Sequence, residues 1–532
     1  MRRLLFGLAV ALLTACTSAS GTHQSGAPLT IGEPQEPQSL NTLLLQGEMT
    51  ILVGPTVYSS LLTADARGNL VPDLARQVPS LANGGISRDG LTITYHLRKG
   101  VKWQDGTPLT AADVVFTSGA VMNPRNDVQS RTGFDVVAGV RAVDAQTVRV
   151  RLKHAYSPIL SYFFGPDQNY QVLPRHLLAR YSDLNHVAFN VSPVGSGPYR
   201  VASWQRGDNI VLRSNALYFR GKPGVAEIRL RFIPDSNTLL QELRTGEVNV
   251  VFNADPAYLQ QYRSLRNMTV TLTPVNATQG LLFNTADPLM HDVRVRRAII
   301  EALDIPRLVR DATRGAQTAQ AAGGGFFSWA YDPSITPPGY NPTDANRLLD
   351  AAGWKRGPGG LRQRNGAMLS VEFALVSGLA DAEQSALMVQ QQLRPFGIAV
   401  TLRKYSPVQY AAPAQNGGPL FGGNFQMAFL QILSGIDPST EYFFGCDQVP
   451  PRGFNLSRYC DPQIQRALDA DEQTYDPATR RRYSEIVQRV MAQELPWVPL
   501  WRRRSISVYP AWLHGVNPSP TTPYWNVWEW RT

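Results

Sequence analysis

Cysteine is the scarcest informative residue in this chain, with three in 532 residues, at positions 16, 446 and 460. That scarcity excludes a disulfide-stapled scaffold and a four-cysteine zinc or iron–sulfur site. Histidine is almost as thin. His23, His96, His154, His176, His186, His291 and His514 are the full set, and none pair at metal-ligand spacing. No metal and no cofactor is expected. The sequence also lacks a G-x-S-x-G elbow, an H-E-x-x-H helix and a Cys/His pair, and its many carboxylates form no local acid–base pair. Beyond the first 15 residues no apolar run approaches the ~18 needed for a spanning helix, so no later segment is expected to cross a membrane.

What is present begins at the N-terminus. Arg2 and Arg3 precede an almost wholly apolar stretch over residues 4–13, followed by Leu13-Thr14-Ala15-Cys16. A basic start, a short apolar run and a small-residue cleavage site describe a secretory signal over residues 1–15. The four residues ending at Cys16 resemble a bacterial lipobox, in which the cysteine is lipidated and becomes the new N-terminus. Residues 16–27 are rich in Ser, Thr, Gly and Ala and suit a flexible tether. The expected location is therefore the outer face of the bacterial cytoplasmic membrane, held by a lipid anchor. In that oxidising compartment Cys446 and Cys460 favour a disulfide, and no His or third Cys lies near them to make a metal pair.

Length and charge bound the rest. A chain of 532 residues with 43% hydrophobic and 17% charged residues is expected to form two or three globular domains. The net charge is +10, but the basic residues are scattered apart from Arg480-Arg481-Arg482 and Arg502-Arg503-Arg504. An exported protein seldom meets nucleic acid, so no nucleic-acid partner is expected. A solvated surface, or a weak attraction to anionic surfaces, accounts for the excess.

Strands and helices alternate along the chain. Leu91, Ile93, Tyr95 and Leu97 alternate with polar residues as a half-buried strand. Thr110 with Asp113 resembles a capping box opening a helix over residues 111–122, with Val114, Val115, Val121 and Met122 on one face. Residues 199–204 and 210–212 read as a hairpin. Strand 228–232, helix 235–245 ended by Gly246, and strand 248–252 read as a βαβ unit, so part of the sheet is expected to be parallel. Further strands are expected at 279–284, 369–376, 398–402, 426–432, 496–501 and 505–509. Helices are expected at 292–303, 343–352, 381–396, 461–471 and 477–494.

Five stretches in order resemble one known family, the extracellular solute-binding proteins of family 5, which are the peptide-binding receptors of bacterial ABC importers. The first runs from Asp89-Gly90-Leu91-Thr92 through Leu97-Arg98-Lys99-Gly100-Val101-Lys102-Trp103-Gln104-Asp105-Gly106-Thr107-Pro108 to Asp113-Val114. The others are Gly195-Ser196-Gly197-Pro198-Tyr199, Asn284 with Asp292-Val293-Arg294, Tyr340-Asn341-Pro342 with Ala352-Gly353-Trp354, and Pro499-Leu500-Trp501. Most of these residues read as scaffold: they identify a fold without locating a site.

The resemblance implies an α/β, two-lobed periplasmic-binding-protein-like fold (type II, large peptide-binding cluster) with mixed sheets and two hinge strands. Lobe I would comprise residues 28–273 and 502–532, and lobe II residues 275–498. It implies a monomer, not an enzyme, that closes on an oligopeptide and delivers it to ABC permease subunits. Gln46, Gly47 and Glu48 fall where lobe I of the family contacts ligand, and Gln431, Leu433, Ser434 and Asp437 where lobe II does. Many family members carry an Asp a few residues before an Asp-Pro pair to hold the ligand's amino group. Here the pair is Asp437-Pro438, the matching position falls near Leu433 or Ser434, and residues 431–436 contain no acid. A buried ammonium without a counter-charge is costly. Two readings stay open: Asp437 substitutes through a shifted loop, or the ligand is N-blocked, bound in another register, or a non-peptide solute such as haem, a metal chelate or a glycopeptide. A secreted enzyme is the remote alternative.

Overall fold

The computed structural model describes residues 27–44, 49–168, 170–319, 329–378 and 380–532. Cys16 and the signal and tether segments up to residue 26 lie outside the described residues, as do Gln46, Gly47 and Glu48.

The first half builds on β1 (Leu29–Glu33), whose Leu29 and Ile31 are fully buried. A small antiparallel sheet follows, made of β2 (Thr92–His96), β3 (Val137–Asp144) and β4 (Thr147–Leu152), with β4 in the middle. Between β2 and β3 lies helix α1 (Ala111–Met122), bounded as its cap predicts. Asp113 Oδ2 accepts the Thr110 N–H at 2.8 Å, satisfying one orphan donor of the first turn. The packed stripe of α1 includes Ala111, Val114, Ser118 and Val121; Val115 is half-buried and Met122 is exposed, so of the expected apolar face only Val114 and Val121 are buried.

Strands β5 (Tyr199–Gln205) and β6 (Asn209–Ser214) form the expected hairpin and pair on to β7 (Glu227–Phe232). Helix α2 (Ser236–Thr245) starts at an Asp235 cap and ends at Gly246 in the left-handed region, φ 84°. It leads to the two-residue strand β8 (Val250–Val251). The βαβ unit is parallel as expected, but β7 and β8 are not neighbours: β1 lies between them and pairs with both.

The second half holds β9 (Met268–Phe283), α3 (Val293–Glu301), α4 (Pro342–Ala351), β10 (Ser370–Val376), α5 (Ala380–Leu393), β11 (Ala399–Tyr405), β12 (Met427–Leu433), α6 (Pro462–Gln473), α7 (Pro477–Glu494) and β13 (Trp497–Pro510). The two strands expected at 496–501 and 505–509 are one continuous β13, so Arg502, Arg503 and Arg504 lie within a strand rather than in a turn. Long-range pairing with β9 from end to end overrides the poor strand propensity of three successive cations. One large mixed sheet results, in the order β11-β10-β12-β9-β13-β8-β1-β7-β6-β5.

Buried apolar side chains change partners partway along β9 and β13. Leu272 packs with the cluster that contains Leu239, Leu240, Ile506 and Val508, whereas Leu281, Phe283, Val498 and Trp501 pack with Ile299, Phe373 and Phe429. Between these groups the β9–β13 register shifts: Pro274 pairs Arg504 and Thr278 pairs Arg502, so residues 275–277 stand opposite Arg503 alone. This is a bulge of the kind that bends strands and re-aims side chains.

The family-like stretches do scaffold work. Gln104 Nε2 donates to the C=O of Tyr199 at 2.8 Å, and the Gly195 N–H donates to Gln104 Oε1 at 3.0 Å. Gly197 lies so close to the chain beside it that a Cβ there would sit 2.6 Å from the Tyr58 nitrogen. The second stretch thus locks onto the first.

Candidate functional site

Strand β12 sits between β9 and β10, but the two neighbours cover it unequally. With β9 it pairs antiparallel from Phe283↔Met427 to Ala277↔Leu433. With β10 it shares only Phe373↔Met427 and Ala374↔Ala428. The Ser434 N–H donates to the C=O of Asn276 at 2.9 Å, and the Asn284 N–H donates to the C=O of Gln426 at 3.1 Å. In an antiparallel ladder hydrogen-bonded pairs alternate, so Leu430 and Ile432 turn their main-chain groups toward β9. Phe429, Gln431 and Leu433 turn theirs to the other edge. There the Phe429 C=O accepts from the Tyr410 hydroxyl at 2.6 Å. The main-chain groups of Gln431 and Leu433 face no strand among the described residues. The Leu433 side chain is 65% exposed, unusual for a leucine ending a core strand.

Beyond β12 the chain turns through Ser434 to Ser439. Asp437 is not directed to the open edge. Its Oδ1 and Oδ2 accept from Arg480 Nη2 and Nη1 at 2.7 and 2.8 Å. On the other side of the same guanidinium, Asp471 Oδ1 and Oδ2 accept from Nε and Nη2 at 3.0 and 2.8 Å. Burial alone would lower the Arg480 pKa, but the two carboxylates outweigh it and hold the guanidinium well above its ordinary value. Asp437, the residue suggested to replace the missing ammonium partner, thus has both oxygens in a bidentate pair with Arg480.

The same loop touches the first half of the chain. Asp167 Oδ1 accepts the N–H of Ile436 at 2.7 Å, and Oδ2 that of Asp437 at 3.1 Å. Burial pushes the Asp167 carboxyl up to about 6, although both N–H groups and the Ser161 hydroxyl favour its charged form. Nearby, the Ser157 N–H donates to the C=O of Glu472 at 2.6 Å, and its Oγ to the C=O of Asp471 at 3.0 Å. The Tyr475 hydroxyl lies 3.2 Å from the C=O of Gly90 and 3.1 Å from that of Tyr156. Burial also pushes Glu472 up to about 7, while its Oε1 accepts from Ser439 Oγ at 2.7 Å.

On the bulge, Asn276 Nδ2 donates to the C=O of Gly435 at 3.3 Å, while its buried Oδ1 has no hydrogen-bond partner. Opposite the bulge, exposed Arg503 donates through Nη1 to Gln431 Oε1 at 3.3 Å. The structure thus places Gln431, Leu433 and Ser434 together at the strand end, and sets Asp437 into the arginine pair behind it. Sequence reading missed Asp167, Asn276, Arg480 and Arg503. Only the arginines left a trace, as runs of three, and nothing in those runs distinguishes the buried member from its exposed neighbours. Cys446 and Cys460 are joined, 14 residues apart. No group of three or more His, Cys, Asp or Glu residues suited to a metal occurs among the described residues.

The architecture, α/β with one large mixed sheet, matches the fold of solved periplasmic binding proteins. Residues 69–448 match the family described as bacterial extracellular solute-binding proteins, family 5 Middle, and the chain belongs to that family. It is 26% identical over 519 residues to the oligopeptide-binding protein AppA of Bacillus subtilis (strain 168), covering 96% of this chain and 93% of that protein. It is 27% identical over 523 residues to the glutathione-binding protein GsiB of Escherichia coli O1:K1 / APEC, covering 97% and 96%. The crystal structure of NikZ from Campylobacter jejuni in complex with Ni(L-His) shares its fold, with a TM-score of 0.76 at 23% identity, covering 95% of this chain and 99% of that one.

Proposed function

We propose that this protein is the extracytoplasmic receptor of an ABC importer, and that it captures an oligopeptide or peptide-like solute as an added strand. The observation that carries this reading is the open edge of β12, where Gln431 and Leu433 present main-chain donors and acceptors with no strand across from them among the described residues. An extended peptide can satisfy both while leaving its side chains largely unread, which suits a receptor of broad specificity. Lobe I is taken as residues 28–273 with 502–532, and lobe II as residues 275–498. Two continuous strands, β9 and β13, make a hinge about which closure can follow ligand capture. The relatives that bind an oligopeptide and glutathione support this class of ligand. A lipid on Cys16 would keep a monomeric receptor beside its permease, on the outer face of the cytoplasmic membrane.

Native mass spectrometry of protein purified from cells tests the reading. Co-purified peptides, displaced by added peptide, are expected. A ligand-free protein that binds no member of a peptide library would overturn it. Growth with a labelled fatty acid tests the anchor separately: label on the wild type and none on Cys16→Ser is expected.

A further inference from the structure

Among the described residues, the strand end offers a ligand no free carboxylate. Residues 431–436 contain none, Asp437 is bound to Arg480, and Asp167 is bound to the loop N–H groups. What it does offer is a guanidinium and a neutral acceptor. Arg503 stands opposite the β9 bulge, its side chain exposed, and its partner there is the uncharged Gln431 amide. No acid lies within ion-pair distance of Arg503 or Arg504 among the described residues. Asn276 is 92% buried, and its Oδ1 is without a donor. A buried acceptor left without a donor costs roughly 1–3 kcal/mol, so a ligand N–H reaching it would be favoured.

We infer that this site selects an N-blocked, acidic peptide: a ligand carboxylate pairs with Arg503, and an uncharged amide N–H donates to Asn276 Oδ1 where a free ammonium would find no counter-charge. The inference rests on the peptide-receptor reading and refines it to one substrate class. Chemistry at each end agrees. Guanidinium and carboxylate can pair through two parallel hydrogen bonds. An ammonium at Asn276 would meet a dipole in place of a charge.

The test is calorimetric titration of the full mature chain with four synthetic peptides of one length: free-amine neutral, N-acetyl neutral, free-amine acidic and N-acetyl acidic. The N-acetyl acidic peptide is expected to bind at least about tenfold more tightly than the free-amine neutral one. Arg503→Gln is expected to erase the acidic preference while keeping affinity for the N-acetyl neutral peptide. Asn276→Asp is expected to reverse the N-terminal preference in favour of the free amine, a gain that misfolding cannot produce. Equal affinity for all four peptides overturns the inference and leaves the peptide receptor standing. Binding of none by wild-type protein overturns both.

Discussion

Asp167 accepts the main-chain N–H of Ile436 at 2.7 Å across 269 residues of sequence. With the Asp437 N–H on its second oxygen, this one carboxylate ties the first half of the chain to the loop that follows β12. In the proposed closure about the strand crossing, this carboxylate is a titratable contact. Burial raises this carboxyl to about 6 here from 3.8, so the proposed closure, by burying it, would take up a proton. The closed form is thus penalised above about pH 6, and the penalty fades as the pH falls toward 3.8. Glu472, raised to about 7, acts in the same direction. Asp437 and Asp471 face the same region with Arg480 between them, and Tyr156, Tyr162 and Tyr475 stay neutral there. Small-angle scattering of ligand-free protein is expected to show a more compact molecule at pH 5 than at pH 8. Asp167→Asn is expected to weaken that difference, with the part due to Glu472 remaining.

That contact also marks where sequence reasoning stops. Helix α1 begins and ends where its cap and apolar spacing place it, because those signals lie within twelve residues. Strand β13 was expected in two pieces because three arginines interrupt its apolar pattern, and only pairing with β9 joins them. Motif spacing from Asp437-Pro438 points to Gln431, Leu433 and Ser434, whose contact with ligand is a proposal. That Asp437 turns away to Arg480 depends on a helix 43 residues further on. Partners so distant leave no periodic trace in the sequence.

Among the described residues, Arg480 is the single cation between two nearly buried carboxylates, with 7% of its side chain exposed. Removing it strands both charges. Arg480→Ala is expected to cost about 3–5 kcal/mol, measured by urea denaturation. Arg480→Lys is expected to recover only part of this, because an ammonium cannot serve two carboxylates with a planar fork. Equal stability of Arg480→Ala and wild type would show that the pair does not hold the loop.

The Cys446–Cys460 bond closes a loop whose ends are 14 residues apart. The chain-entropy account gives such a loop about 3 kcal/mol. Cys446→Ser, Cys460→Ser and reduced wild-type protein are expected to lose similar stability in guanidinium denaturation. Ligand affinity is expected to change less, because the bond lies outside the strand end at Gln431 and Leu433.

Gly435 and Asp167 form a coupled pair that a double-mutant cycle can resolve. A Cβ on Gly435 would collide with the Asp167 carboxylate. That carboxylate has little freedom to move aside while two N–H groups hold it in a part-buried position. Gly435→Ala alone is therefore expected to open the contact and weaken ligand binding about tenfold, the scale of an overpacked site. Asp167→Ala alone removes the acceptor and leaves two N–H groups without a partner, a loss of similar size. In the double variant the new methyl enters space that the carboxylate has vacated, so the second substitution adds little to the first. The expected coupling is at least about 0.5 kcal/mol, above the scatter of independent sites. Strict additivity in ligand affinity would show that Asp167 and Gly435 do not meet in the ligand-bound protein, and that closure there uses a different set of contacts.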